Sequence, residues 1–185
     1  MNIIELDDPF PIDLTTAPDR TFHKLHLSTI YTDIEKKLFG GPRITDNPLW
    51  AQIGFLYERV LADCFQEKYP NIFRPGEVEL DGITGSPDGI DLDCDPMYLE
   101  EYKCTWLSSK NTIQDMWKWK VQTMGYCKML GLRDCRFRVL HMNGDYGRKT
   151  EYGPQYKSYI VNYAQSEIDE NWDMILNHAK AMKWL

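Results

Sequence analysis

Gly85-Ser86-Pro87-Asp88-Gly89-Ile90, followed by Met97-Tyr98-Leu99-Glu100-Glu101-Tyr102-Lys103-Cys104, is the stretch on which the reading of this sequence turns. The first segment puts an aspartate on a Gly/Pro turn at the end of a strand, where backbone and carboxylate can both approach a ligand. The second has the form of a strand. Side chains alternate along it, so Glu101 and Lys103 share one face and Tyr102 points to the other. Asp88 precedes Glu101 by thirteen residues, a distance that suits adjacent strands of one hairpin. Turn aspartates are ordinary, and a Glu-x-Lys pair on a strand is usually a solvated ion pair. It is the ordered combination that carries information.

Working outward, Ile30, Ile34 and Leu38 recur at helical spacing and predict a short helix from about Ser28 to the Gly40-Gly41-Pro42 stop. Asn47-Pro48 read as an N-cap followed by a first-turn proline. The helix they open is expected to run to about Lys68, with Leu49, Ile53, Leu56, Val60 and Cys64 on its buried stripe. Strands are expected at Glu77–Leu80, from Ile83 into the Asp88 turn, at Met97–Lys103, Phe137–Met142 and Tyr156–Tyr163. A second long helix is predicted from about Thr112 to Leu130, closed by Gly131. Ser166-Glu167-Ile168-Asp169 resembles a capping box opening a last helix, with Ile168, Trp172, Ile175 and Ala179 on one face. The order α–α–βββ–α–ββ–α predicts one mixed α/β domain over 21–185 behind an irregular, acidic, proline-bearing arm over 1–20.

With 185 residues, 43% hydrophobic and 13% aromatic, the chain can bury one sizeable core. No stretch approaches the roughly 20 apolar residues of a membrane span. The start, MNIIELDDPF, lacks the basic and apolar regions of a signal peptide, so a soluble cytoplasmic protein is expected. The five cysteines form no CxxC, which leaves zinc and iron–sulfur sites without spacing support. Asp91-Leu92-Asp93-Cys94-Asp95 imitates the start of a calcium loop, but Pro96 and Tyr102 stand where Gly and Glu are needed; these acids are read as a polar hairpin loop. A net charge of −7 argues against nucleic acid as a partner. The segment Ser109–Arg138 runs the other way, with Lys110, Lys118, Lys120, Lys128, Arg133, Arg136 and Arg138 against Asp115 and Asp134. Such a zone suits phosphate contact, or a solvated face.

Two carboxylates from neighbouring strands and a lysine beside them are what phosphodiester hydrolysis calls for: hard oxygen ligands for Mg²⁺ and a cation near the attacking water. Glu58, four residues after Gly54 at the border of the apolar arc, would add a third carboxylate.

The same residues resemble the core of the lambda exonuclease (YqaJ-type viral recombinase, RecB-like) branch of the PD-(D/E)XK nucleases. That branch reads S-P-D-G, then a strand ending in E-x-K-C. Gly54-Phe55-Leu56-Tyr57-Glu58 is similar to its G-x-x-x-E helix, and Val121-Gln122-Thr123-Met124 to its Q-x-M-like helix. Gln122 with Tyr126 also fits the Q-x-x-x-Y pattern of RecB-type relatives, and at i, i+4 the two share a helix face. The likeness covers roughly residues 47–163. It implies a restriction-endonuclease-like mixed sheet flanked by helices, with Mg²⁺ (or Mn²⁺) held by Asp88, Glu101, the Tyr102 carbonyl and Glu58. Lys103 would position or activate the water, and Gln122 would brace the site. Substrate contacts are expected from Ser86, Tyr126, Lys118, Lys120, Lys128, His26 and Arg43. There are two departures: Lys120 stands where the family has a first glutamine, and His26 where some members have an arginine for the 5′ phosphate. The implied function is a DNA exonuclease in recombination or end processing, and the implied partners are DNA, further copies of the chain in a homo-oligomer and a recombination partner protein. A structure-specific or restriction-like endonuclease and a non-catalytic DNA-binding subunit remain open beside it.

Overall fold

In the computed structural model, residues 23–40, 48–147 and 152–185 are described. The expected N-terminal arm and Arg43 lie outside them. The elements run β1 (Leu25–His26), α1 (Leu27–Phe39), α2 (Pro48–Lys68), β2 (Ile72–Phe73), β3 (Val78–Leu80), β4 (Ile83–Gly85), β5 (Gly89–Asp91) and β6 (Tyr98–Thr105). A 3₁₀ turn at Ile113–Asp115, α3 (Trp117–Leu130), β7 (Asp134–His141), β8 (Gln155–Asn162) and α4 (Gln165–Ala181) follow. Five strands form one mixed sheet in the order β2-β5-β6-β7-β8, and three form a small one, β1-β4-β3. The fold is α/β, as expected.

Strand β6 sits at the centre of the larger sheet, antiparallel to β5 and parallel to β7 in register from Tyr98↔Asp134 to Thr105↔His141. Its alternation divides the molecule. Leu99 lies on one face with Cys135, Phe137 and Val139 of β7, and these pack into a core completed by Val121, Cys127, Ile168 and Trp172 from α3 and α4. Glu100 and Tyr102 lie on the other face with Arg136 and Arg138, where Phe65 of α2 stacks on Tyr102 at 5.6 Å. Burial of the apolar face, not helix propensity, holds α3 and α4 in place.

Several boundaries differ from expectation for identifiable reasons. The helix expected from Thr112 begins at Trp117: the Asp115 carboxylate accepts the Thr112 N–H at 2.8 Å and closes a separate turn, and Met116 leaves the helical region. Strand β7 starts at Asp134, three residues before Phe137, because pairing with β6 carries it through charged positions. The last helix is capped two residues earlier than the Ser166 motif suggests: Glu167 Oε2 accepts the Ala164 N–H at 2.8 Å, and Asp169 instead takes Lys128. Leu38 is 59% exposed, since α1 is buried through Leu27, Ile30, Tyr31 and Ile34 and its last turn overhangs. On α2 most of the expected stripe is uncovered: Leu56, Val60 and Cys64 are exposed and Ile53 is half-buried, the Leu49 side chain lies outside the described residues, and Phe65 turns in toward β6.

Helices α1 and α3 meet closely at Gly125. A Cβ built there would stand 2.6 Å from Leu27 Cδ2, and Leu27 is itself fully buried. Gly125→Ala is therefore expected to cost about 1–3 kcal/mol by overpacking. A urea titration would check it. An unchanged midpoint would show that Leu27 has room to move.

Candidate active site

The site grows out of the β5–β6 hairpin. Asp88 closes the turn after β4 and its Oδ2 accepts the Tyr102 N–H at 2.8 Å, so the turn is stapled to the middle of β6. Gly89 pairs opposite Glu100, which brings Asp88 alongside Glu101 on the adjacent strand. Glu101 is fully buried; Lys103, two residues on and on the same face, sets its Nζ against Glu101 Oε1. Glu58 reaches in from α2 to 3.9 Å from the same Nζ. Two carboxylates thus stand at one ammonium, and the charge of Asp88 acts on it as well.

Burial dominates the electrostatics. It pushes the Glu101 carboxyl up to about 8, Lys103 opposing the rise and Asp88 adding to it. Asp88 and Glu58 move in the same direction for the same first reason. Burial by itself would lower Lys103, yet the surrounding carboxylates outweigh it and hold its ammonium well above the usual lysine range. The donor chemistry suits a hard divalent cation: Glu101 Oε2 is buried and accepts no hydrogen bond from any described residue. Among the described residues, however, no three acidic, His or Cys side chains close on a single point; the carboxylates gather round Lys103 instead.

Above this floor lies a groove of about 990 Å³ between α1, α2 and the Asp88 turn. Glu58, Asp88, Lys103, Gln122 and Tyr126 line it, and Gln122 Nε2 donates to the Tyr126 hydroxyl at 3.1 Å.

Neither a family model nor a curated protein matches the sequence. Solved structures do share its shape. An alkaline exonuclease (LHK-Exo) from Laribacter hongkongensis superposes with a TM-score of 0.53 at 17% identity, over 86% of this chain and 88% of that one. The fold is one seen in exonucleases. The same exonuclease in complex with dAMP gives 0.51 at 18% identity, over 86% and 88% of the two chains. A phage-related exonuclease from Haemophilus somnus 129PT gives 0.53 at 14% identity, over 82% of this chain and 78% of that one.

The remaining expected residues fall into two groups. Ser86, His26 and Lys118 line the groove; Lys118 also sits 3.5 Å from Glu35 and over the Tyr31 ring. Lys120 and Lys128 are not at the groove: Lys120 Nζ donates to the Gln114 carbonyl at 2.9 Å and Lys128 is paired with Asp169 at 2.7 Å. Helix α3 turns these two toward the 3₁₀ turn that precedes it and toward α4. Arg136 and Arg138, counted in the same basic zone, are spent on buried Glu100: Arg138 Nε donates to Oε2 at 2.6 Å and Arg136 Nη1 to Oε1 at 2.8 Å. Asp91 is likewise no loop residue; it ends β5, is buried, and accepts from Arg136 at 2.8 Å. Sequence reasoning passed over Arg74, which lines the groove beside the Asp88 turn. Its one signal is a lone cation between Ile72-Phe73 and Pro75-Gly76.

Proposed function

We propose that this chain is a metal-dependent nuclease of the PD-(D/E)XK class that degrades DNA from its ends, in recombination or end processing. The observation that carries the reading is the buried Glu101 carboxylate, with one oxygen lacking a partner, set beside Asp88 and Lys103 at the floor of an open groove. The likeness to exonuclease folds supports it. Asp88, Glu101, Glu58 and the Tyr102 carbonyl would hold Mg²⁺ or Mn²⁺. Such an ion polarises a phosphoryl oxygen and makes water a better nucleophile at neutral pH. Lys103 remains protonated among the carboxylates and presents N–H donors to the attacking water or to a phosphoryl oxygen. Gln122 and Tyr126 form one wall of the site, joined by their own hydrogen bond. The Tyr102 N–H holds Asp88 Oδ2, which fixes the carboxylate's direction.

Linear and covalently closed duplex DNA, digested side by side, test the reading. Cleavage of the linear form alone in Mg²⁺ or Mn²⁺, with binding but no turnover in Ca²⁺, is expected for an all-oxygen site. Cleavage of the closed circle would make the chain an endonuclease. Undiminished activity in excess chelator would overturn the metal assignment.

A further inference from the structure

Beside the Asp88 turn is a second hollow of about 260 Å³, lined by Arg74, Gly76, Glu77, Ser86 and Pro87. Arg74 and Ser86 line both this hollow and the main groove, so they stand on the rim between the two. Arg74 follows β2 directly, and β2 is fastened to β5 through Phe73↔Ile90, next to Gly89 and the Asp88 turn. The residue is exposed. Its charge nonetheless reaches the site: burial pushes the Asp88 and Glu58 carboxyls up, while Lys103 and Arg74 pull both down. The hollow's acid, Glu77, lies 4.0 Å from Lys24 Nζ and 3.9 Å from His26 Nε2.

The site sets three carboxylates against one lysine, and a phosphodiester brings further negative charge. A strand leaving the groove over the Ser86-Pro87 turn needs a cation at that point. Arginine suits this role because its planar fork can grip a phosphate through two parallel N–H donors while staying charged at every working pH. We propose that Arg74 is a substrate-binding residue whose guanidinium, with the Ser86 hydroxyl beside it, holds the backbone phosphate next to the scissile one on the Ser86-Pro87 side. This assignment rests on the nuclease reading above.

The test compares Arg74→Ala and Arg74→Lys with the parent chain in Mg²⁺, using a linear duplex and the same duplex with neutral methylphosphonate links flanking the cleaved bond. On the ordinary duplex Arg74→Ala should raise KM by about tenfold or more, as the loss of a charged hydrogen bond does, with kcat little changed. Its slope of log affinity against log salt should fall by roughly one. Arg74→Lys should restore the slope without restoring full affinity, because the charge returns and the fork does not. On the methylphosphonate duplex, parent and Arg74→Ala should have equal KM. Unchanged KM and salt slope in Arg74→Ala, with cleavage still lost in Lys103→Ala, would overturn the Arg74 assignment and leave the nuclease reading standing. A parent chain that cleaves no DNA with any divalent cation would overturn both.

Discussion

Replacing Asp88, Glu101 or Lys103 by alanine should each lower DNA cleavage by roughly a thousandfold or more, and any pair of these changes should do little further harm. Residues that act as one unit lose function non-additively, since the first loss already disables the step that the others serve. Here the unit is physical: Lys103 Nζ touches Glu101, and Asp88 is tied to the backbone between them. Glu58→Ala should cost less, because Glu58 stands 3.9 Å from Lys103 and keeps about a quarter (26%) of its side chain open to solvent. Single-turnover rates on a linear duplex give the comparison, and circular dichroism confirms that each variant folds. A Lys103→Ala protein with a near-normal rate would remove lysine from the mechanism. A neutral replacement at the same site should act on stability in the opposite direction. Glu101 is pushed up to about 8 by burial, so its charged form is disfavoured in the fold, and a neutral Glu101→Gln should melt higher than the parent in chelator. An unchanged or lower melting temperature would mean that burying the Glu101 carboxyl costs the fold nothing.

The back of the same strand should respond more severely to a change with no catalytic meaning. Glu100→Ala is expected to destabilise the protein by about 3–5 kcal/mol, the loss typical when one partner of a buried ion pair is removed. Glu100 is fully buried and takes Arg138 at 2.6 Å and Arg136 at 2.8 Å. The Arg138 guanidinium is further held over the Phe65 ring at 4.0 Å and the Tyr69 ring at 5.1 Å. Without Glu100, Arg138 keeps its aromatic neighbours and loses its counter-charge, whereas Arg136 still has Asp91. Denaturant unfolding of Glu100→Ala against Glu100→Gln measures this. A loss below about 1 kcal/mol, the range of exposed pairs, would mean that water reaches the arginines.

How much of this was legible beforehand depends on what each signal encodes. The start of α2 at Pro48 follows from a proline suited to the first helical turn, and the pairing of Glu101 with Lys103 follows from strand alternation, both local properties of the chain. Helical spacing says which residues share a face, not whether anything covers that face; hence Leu56 and Val60 were expected inside and lie outside. Strands β1 and β2, two residues each, are too short to show a period and exist only through their partners. The basic zone misled for a related reason. Composition registers Arg136 and Arg138 as charge available for phosphate, and only the fold reveals the carboxylate already bound to them. Arg74 escaped notice because nothing beside it in the chain is chemical; Asp88 becomes its neighbour through β5.

Strand β6 ties these accounts together in a way that bears on how such a chain can change over generations. Side chains repeat every two residues along a strand, so a slip or an insertion of one residue would exchange its two faces. Glu101 and Lys103 would then turn toward Phe65 and the arginines, and Glu100 toward the apolar core. Loss of activity and loss of folding would arrive in a single event. Drift in length is closed to this strand, and variation there has to proceed by substitution, one face at a time.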